Sequence, residues 1–147
     1  MEDAQNRELV KEFAGLWHKI FSSNKLNVCT ERLADVSPIE ISILRIVAEN
    51  PDVILREICQ RLDIVNSTLT SAVNRLEKRK LVKRIISTRD LRSFGLELTG
   101  DGSDALNDHI HGEERVLNRI LGFLDNDVER DSFVKMFKKV VDKMVND

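Results

Sequence analysis

The chain has no tyrosine, one tryptophan, two prolines and two cysteines in 147 residues. It also lacks any apolar run near the roughly 20 residues that a membrane-spanning helix needs. No membrane span is therefore expected, and the opening MEDAQNRELVKEF carries too many charges for a signal peptide. Cys29 and Cys59 form no CxxC pair and nothing points to export, so the expected setting is a reducing cytoplasm. No GxSxG elbow, P-loop or dinucleotide-binding fingerprint occurs, and the three histidines suggest no triad. Neither an enzyme nor a cofactor is expected. No repeat or low-complexity tract appears.

What is present is 41% apolar and 33% charged residue content, the balance of a folded, helix-rich chain rather than a disordered one. The length fits one domain, or one domain with helical extensions. The net charge of −2 conceals a strong division. Residues 66–92 hold eight basic side chains against two acidic ones, a local charge of +6, while the remainder carries 15 basic and 23 acidic residues, or −8. A basic island in an acidic chain is a local electrostatic footprint that the overall charge hides.

Apolar periodicity gives the element order. Leu9, Phe13, Leu16, Trp17, Ile20 and Phe21 mark an amphipathic N-terminal helix. After the loop NVCTERLADV, SPIE reads as a capping box, with Ser37 as N-cap, Pro38 first in the helix and Glu40 reaching back; Asn50-Pro51 ends that helix. LREICQRLDI forms a short helix. A second begins at Asn66, read as its N-cap, with Leu69, Ala72, Val73 and Leu76 on one face. Only Asp63, Ile64 and Val65 separate the two, which makes a helix-turn-helix candidate whose turn lacks the frequent glycine. LVKRII and FGLEL read as a hairpin around STRDLRS. Thr99 can cap the next helix, although GDG makes a poor first turn, and a last helix starts near Asn126.

The second helix of the pair has an unusual polar face, Ser67, Thr68, Thr70, Ser71, Asn74 and Arg75, followed by Lys78, with Asn66 at its start as a further DNA-binding candidate. A merely solvated face more often carries Glu and Lys, the better helix formers. Short hydroxyls and an Asn let a backbone approach a surface closely and bond to phosphates or base edges, as entry into a DNA major groove requires. A polar face of weak helix propensity explains the helix alone about equally well. The adjoining hairpin tips the balance, because its loop presents Arg89 and Arg92. A narrow minor groove concentrates negative potential and draws in arginine. Arg92 is expected to insert there and Arg89 to lie on the flanking DNA backbone. Asp90 is expected to hold Arg92 or another loop residue in place by a charge-assisted hydrogen bond.

From SPIEISILRIV through NRLEKRKLV to STRDLRSFGLELTGDG, the chain resembles the MarR (multiple-antibiotic-resistance regulator) family of transcription factors. The carrying features are NRLEKRKLV at the end of the recognition helix, Asp90 and Arg92 as the wing's DxR, and LxLTxxG from Leu96 to Gly102. The resemblance covers nearly the whole chain. It implies a mainly α (α+β) fold: a winged helix-turn-helix over residues 35–99, with dimerisation helices at 1–34 and 100–147. It implies a homodimer that binds double-stranded DNA at a near-palindromic operator in the bacterial or archaeal nucleoid, as a repressor released by a small-molecule effector. Many relatives carry a basic residue where this chain has Ser71, so no base preference carries over.

The terminal helices support dimerisation independently. Leu9, Phe13, Leu117, Phe133, Phe137, Val140 and Met144 make more apolar surface than a small winged domain covers, and such patches mark interfaces. A larger monomeric bundle is the alternative. Trp17, His18, Phe21 and Ile43 are candidates to line an effector crevice, although plain core packing explains aromatics at helical spacing as well. His109 pairs better with Glu113 than with His111, which points elsewhere on a helix. No closed ligand set forms, so no metal is expected. Nothing in the sequence lowers the pKa of Cys29 as a sensing thiol requires. The competing function is a winged-helix protein–protein module that does not bind DNA.

Overall fold

The computed structural model describes residues 2–146 apart from Asn24, Asn27 and Cys29, with side chains from Gln5 onward. Cys29, weighed above as a sensor, lies outside the described residues. The order is α1 (Glu2–Ser22), a 3-10 turn (Glu31–Leu33), α2 (Pro38–Glu49), α3 (Leu55–Leu62), α4 (Asn66–Lys78), β1 (Val82–Ile86), β2 (Phe94–Leu98), α5 (Gly100–Gly122) and α6 (Asp127–Asn146). This is the expected mainly α fold with one small antiparallel sheet.

The chain divides into a unit of residues 29–112 and a unit of residues 1–28 with 113–147. The boundaries expected at 34/35 and 99/100 both fall inside the first of these units. Leu33 from the 3-10 turn and Ala105 and Leu106 from α5 belong to the same buried cluster as the winged elements. Its centre is Ile43 and Leu44 from α2, Ile58 from α3, Val73 and Leu76 from α4, and Leu96 from β2. Each such buried side chain contributes about 1.5–3 kcal/mol.

Local chemistry sets the helix ends. Ser37 Oγ accepts from the Glu40 N–H at 3.3 Å, and Glu40 Oε2 accepts from the Ser37 N–H at 2.7 Å, completing the capping box. α3 has Ile54 in the cap position, and Glu57 Oε2 accepts the Ile54 N–H at 3.1 Å. At the turn between α3 and α4, Asp63 adopts the left-handed conformation (φ 50°) that glycine would normally supply. Asn66 is not the N-cap of α4. Val65 holds that position with extended backbone, and Asn66 is the first helical residue. Its Oδ1 is already committed to the Cys59 Sγ–H at 3.2 Å, so it ties the two helices together instead.

α4 ends in a Schellman motif: the Lys80 N–H bonds Glu77 O at 2.8 Å and the Leu81 N–H bonds Leu76 O at 3.0 Å. Lys80, at φ 59°, occupies the left-handed site of that motif. β1 and β2 then pair from Val82↔Leu98 to Ile86↔Phe94. A bridge between Ile54 and Gly95 ties the hairpin to the entry of α3. Thr99 Oγ1 accepts from the Gly102 N–H at 2.9 Å and donates to Lys80 O at 2.6 Å. Gly102 looked like a poor helix residue for a reason: a Cβ there would sit 1.9 Å from Leu81 O.

In the other unit, α1 stacks Phe13, Trp17 and Phe21 along itself, with ring centroids 5.9 and 4.8 Å apart. Arg130 joins the start of α6 to the end of α5 through Leu121 O and Leu124 O, both at 3.1 Å. α6 has no buried residue. Among the described residues, no helix is long and apolar enough to cross a membrane.

Candidate nucleic-acid interface

Burying Leu69, Ala72, Val73 and Leu76 leaves the opposite side of α4 free. Ser67, Ser71, Asn74 and Lys78, spaced four, three and four apart, form its exposed central stripe, flanked by Thr68 and Thr70. Asn74 Oδ1 accepts from Arg84 Nη2 at 2.8 Å, and Arg84 Nε also lies 3.2 Å from Glu77, so β1 fixes how Asn74 is presented.

Arg75 departs from expectation. It lies at the edge of the face and turns back, placing Nε 2.6 Å from Oε1 of Glu40. Glu40 is buried, which alone would push its carboxyl up. The hydrogen bond from the Ser37 backbone and the guanidinium of Arg75 outweigh burial and hold it below the usual carboxylate value. Arg75 is thus engaged in joining α4 to α2.

The wing loop is built on two short side chains. The hydroxyl of buried Ser87 accepts the Arg89 and Asp90 N–H groups at 3.2 Å each. Asp90 Oδ1 accepts the Arg92 N–H at 3.0 Å and Oδ2 the Ser93 hydroxyl at 2.6 Å. Those bonds, Ser93 first, keep the Asp90 carboxyl below its usual value. Asp90 therefore braces the loop through the backbone of Arg92. The Arg92 side chain itself is exposed, with no hydrogen bond or ion pair among the described residues.

Arg89, expected on the flanking DNA backbone, is paired within the chain. Its Nη2 donates to Glu57 Oε2 and to Asp52 O, both at 2.8 Å, and Nε lies 3.4 Å from Asp52 Oδ2. Asp52 also accepts from Thr88 N (3.1 Å), Thr88 Oγ1 (2.8 Å) and Arg89 N (3.2 Å). The Glu57 partner raises the pKa of Arg89; Arg89 lowers that of Glu57, and the Thr88 hydroxyl lowers that of Asp52. Sequence reading gave Glu40 only as a cap, not as the partner of Arg75, and missed Asp52 and Glu57; Glu57 gave a local signal, as an acid in the first turn of its helix.

Of the effector candidates, Trp17, His18 and Phe21 are exposed on α1, whereas Ile43 is wholly enclosed in the winged core and borders no open space. A cavity of about 240 Å³ in the winged unit is lined instead by Arg32, Arg79, Leu81, Asp101 and Ala105. Among the described residues, no three His, Cys, Asp or Glu side chains gather as a metal site. His109 is buried with Nδ1 unbonded. The expected interface residues on α1, α5 and α6 range from Phe133, 41% exposed, to Met144, 76% exposed.

A tight helix pair, a second helix with a free polar stripe, and a braced hairpin directly after it define a winged helix-turn-helix. The family model described as "MarR family" matches residues 34–93. Across that winged segment the chain is similar to the MarR family. It is 28% identical over 89 residues to the HTH-type transcriptional repressor MdtR of Bacillus subtilis, a match spanning 60% of this chain and 57% of MdtR. It is similar to the crystal structure of YusO from Bacillus subtilis, with TM-score 0.75, 22% identity, and 97% and 98% of the two chains covered. It is also similar to Streptococcus pneumoniae FabT in complex with DNA, with TM-score 0.78, 18% identity, and 96% and 98% covered.

Proposed function

We propose that two copies of this chain bind double-stranded DNA at a near-palindromic operator and regulate transcription, in the sense of repression that the name of MdtR carries. The observation that carries this reading is the pairing of an exposed Ser67–Ser71–Asn74–Lys78 stripe with an unpartnered, outward Arg92 on the wing. The stripe suits a major groove and the arginine the adjoining minor groove. The exposed apolar side chains of α1, α5 and α6 supply the face on which a second copy packs. Pairing of the copies sets two recognition helices about one DNA turn, roughly 34 Å, apart. FabT, of the same fold, was solved with DNA, which supports this mode of use.

Selection of bound fragments from sheared genomic DNA, read by sequencing, tests the proposal. Enrichment of an inverted repeat is expected. Recovery of no fragment even at low salt, with another protein retained instead, identifies a protein-binding module and overturns it.

A further inference from the structure

The basic island is mostly spent inside the molecule. Of its eight cations, five face carboxylates: Arg75 to Glu40 (2.6 Å), Arg79 to Asp35 (3.9 Å), Lys83 to Glu97 (3.0 Å), Arg84 to Glu77 (3.2 Å) and Arg89 to Glu57 (2.8 Å). Among the described residues, only Lys78, Lys80 and Arg92 of the island have no hydrogen bond or ion pair from the side chain. A cation beside a carboxylate attracts a phosphate less, because the neighbouring negative charge offsets its own.

We propose that Arg56, outside the island, is a DNA-backbone contact acting beside Arg92, and that it fills the place the sequence suggests for Arg89. Arg56 is the second residue of α3, is exposed, and makes no ion pair or hydrogen bond among the described residues. It directly precedes Glu57, which holds Arg89 and so docks the wing onto this end of α3. After Ser93 and the Arg92 backbone, the charge of Arg56 also favours the ionised Asp90. Arg56 and Arg92 therefore stand on two elements that the Arg89–Glu57 pair docks together. In helix-turn-helix proteins the first helix of the pair crosses the DNA backbone, and α3 is that helix here.

This inference rests on the DNA-binding reading above. A labelled mixed-sequence duplex, titrated with the full chain over a range of salt concentrations, reports phosphate contacts without knowledge of the operator. Each lost phosphate contact lowers the steepness of log K against log salt by about 0.9. Arg56→Ala and Arg92→Ala are each expected to lower it by about that amount per protomer bound. Arg56→Lys, which keeps the charge, restores it. Lys83→Ala, removing a paired cation, leaves it unchanged. An unchanged slope for Arg56→Ala beside a reduced one for Arg92→Ala sinks the proposal and spares the DNA reading. So does a Lys83→Ala slope that falls as far as that of Arg56→Ala. No binding by the unaltered chain at low salt sinks both.

Discussion

Nε of Arg75 on α4 lies 2.6 Å from Oε1 of Glu40 on α2, although the Glu40 side chain is 4% exposed and that of Arg75 58%. A nearly enclosed carboxylate is thus neutralised from the rim by the helix proposed to read DNA. Arg75→Ala strands that carboxylate and is expected to cost about 1–3 kcal/mol. Urea unfolding of Arg75→Ala, Glu40→Gln and the double variant measures the coupling. Additive losses across that cycle show that the pair contributes nothing.

Gly102→Ala is expected to be far more damaging than its chemistry suggests. The new methyl meets the carbonyl of Leu81 at 1.9 Å, and neither backbone can yield without shifting the start of α5 from β1. Overpacking of this kind costs about 1–3 kcal/mol and occasionally more, and a backbone contact this close lies at the upper end. Gly100→Ala, where a Cβ meets nothing within 4 Å, is the control and should be near neutral. Equal melting temperatures for the two variants contradict the close approach.

Lys80→Gly is expected to stabilise the chain. Lysine in the left-handed region carries a steric cost that glycine escapes, and the gain after glycine's extra unfolded freedom is about 0.5–1 kcal/mol. A rise in the urea midpoint with an unchanged slope is the expected result. A fall shows that the Lys80 side chain makes a contact worth more than the strain.

The wing clasp should release in acid and not in base. Asp52, Glu57 and Asp90 all have pKa values lowered in the folded chain. Their contribution is complete above the unfolded carboxylate values, near about 4, and disappears as pH falls through the lower folded values. The amide resonances of Thr88 and Arg89, both bonded to Asp52, report it. They should hold their positions from neutrality to about pH 4 and move only below that. Movement above about pH 5 contradicts this account.

How much could be read in advance follows the range of each interaction. Ser37, Pro38 and Glu40 form a cap from four consecutive residues, so the start of α2 was legible. So were the hairpin, the apolar face of α4 and the Thr99 cap, all set by local pattern or spacing. Asn66 misled because its oxygen goes to Cys59 on another helix, seven residues earlier. The pairing of Arg75 and Arg89 was hidden for the same reason at longer range, since their partners lie 35, 32 and 37 residues away. A sequence shows where cations cluster, but only the fold shows which are already neutralised.

If the proposed second copy covers the bare flank of α6, dilution should act as a denaturant. Twenty residues that shelter none of their own side chains gain little from intrinsic helix propensity, so the order of α6 depends on what it packs against. If a second molecule is that neighbour, mass action governs the folded population, and each tenfold dilution should lower the calorimetric midpoint. A midpoint that ignores concentration shows the flank to be self-sufficient. The concentration of the chain would then set how much of α6 is ordered, as well as how much of the proposed DNA site is filled.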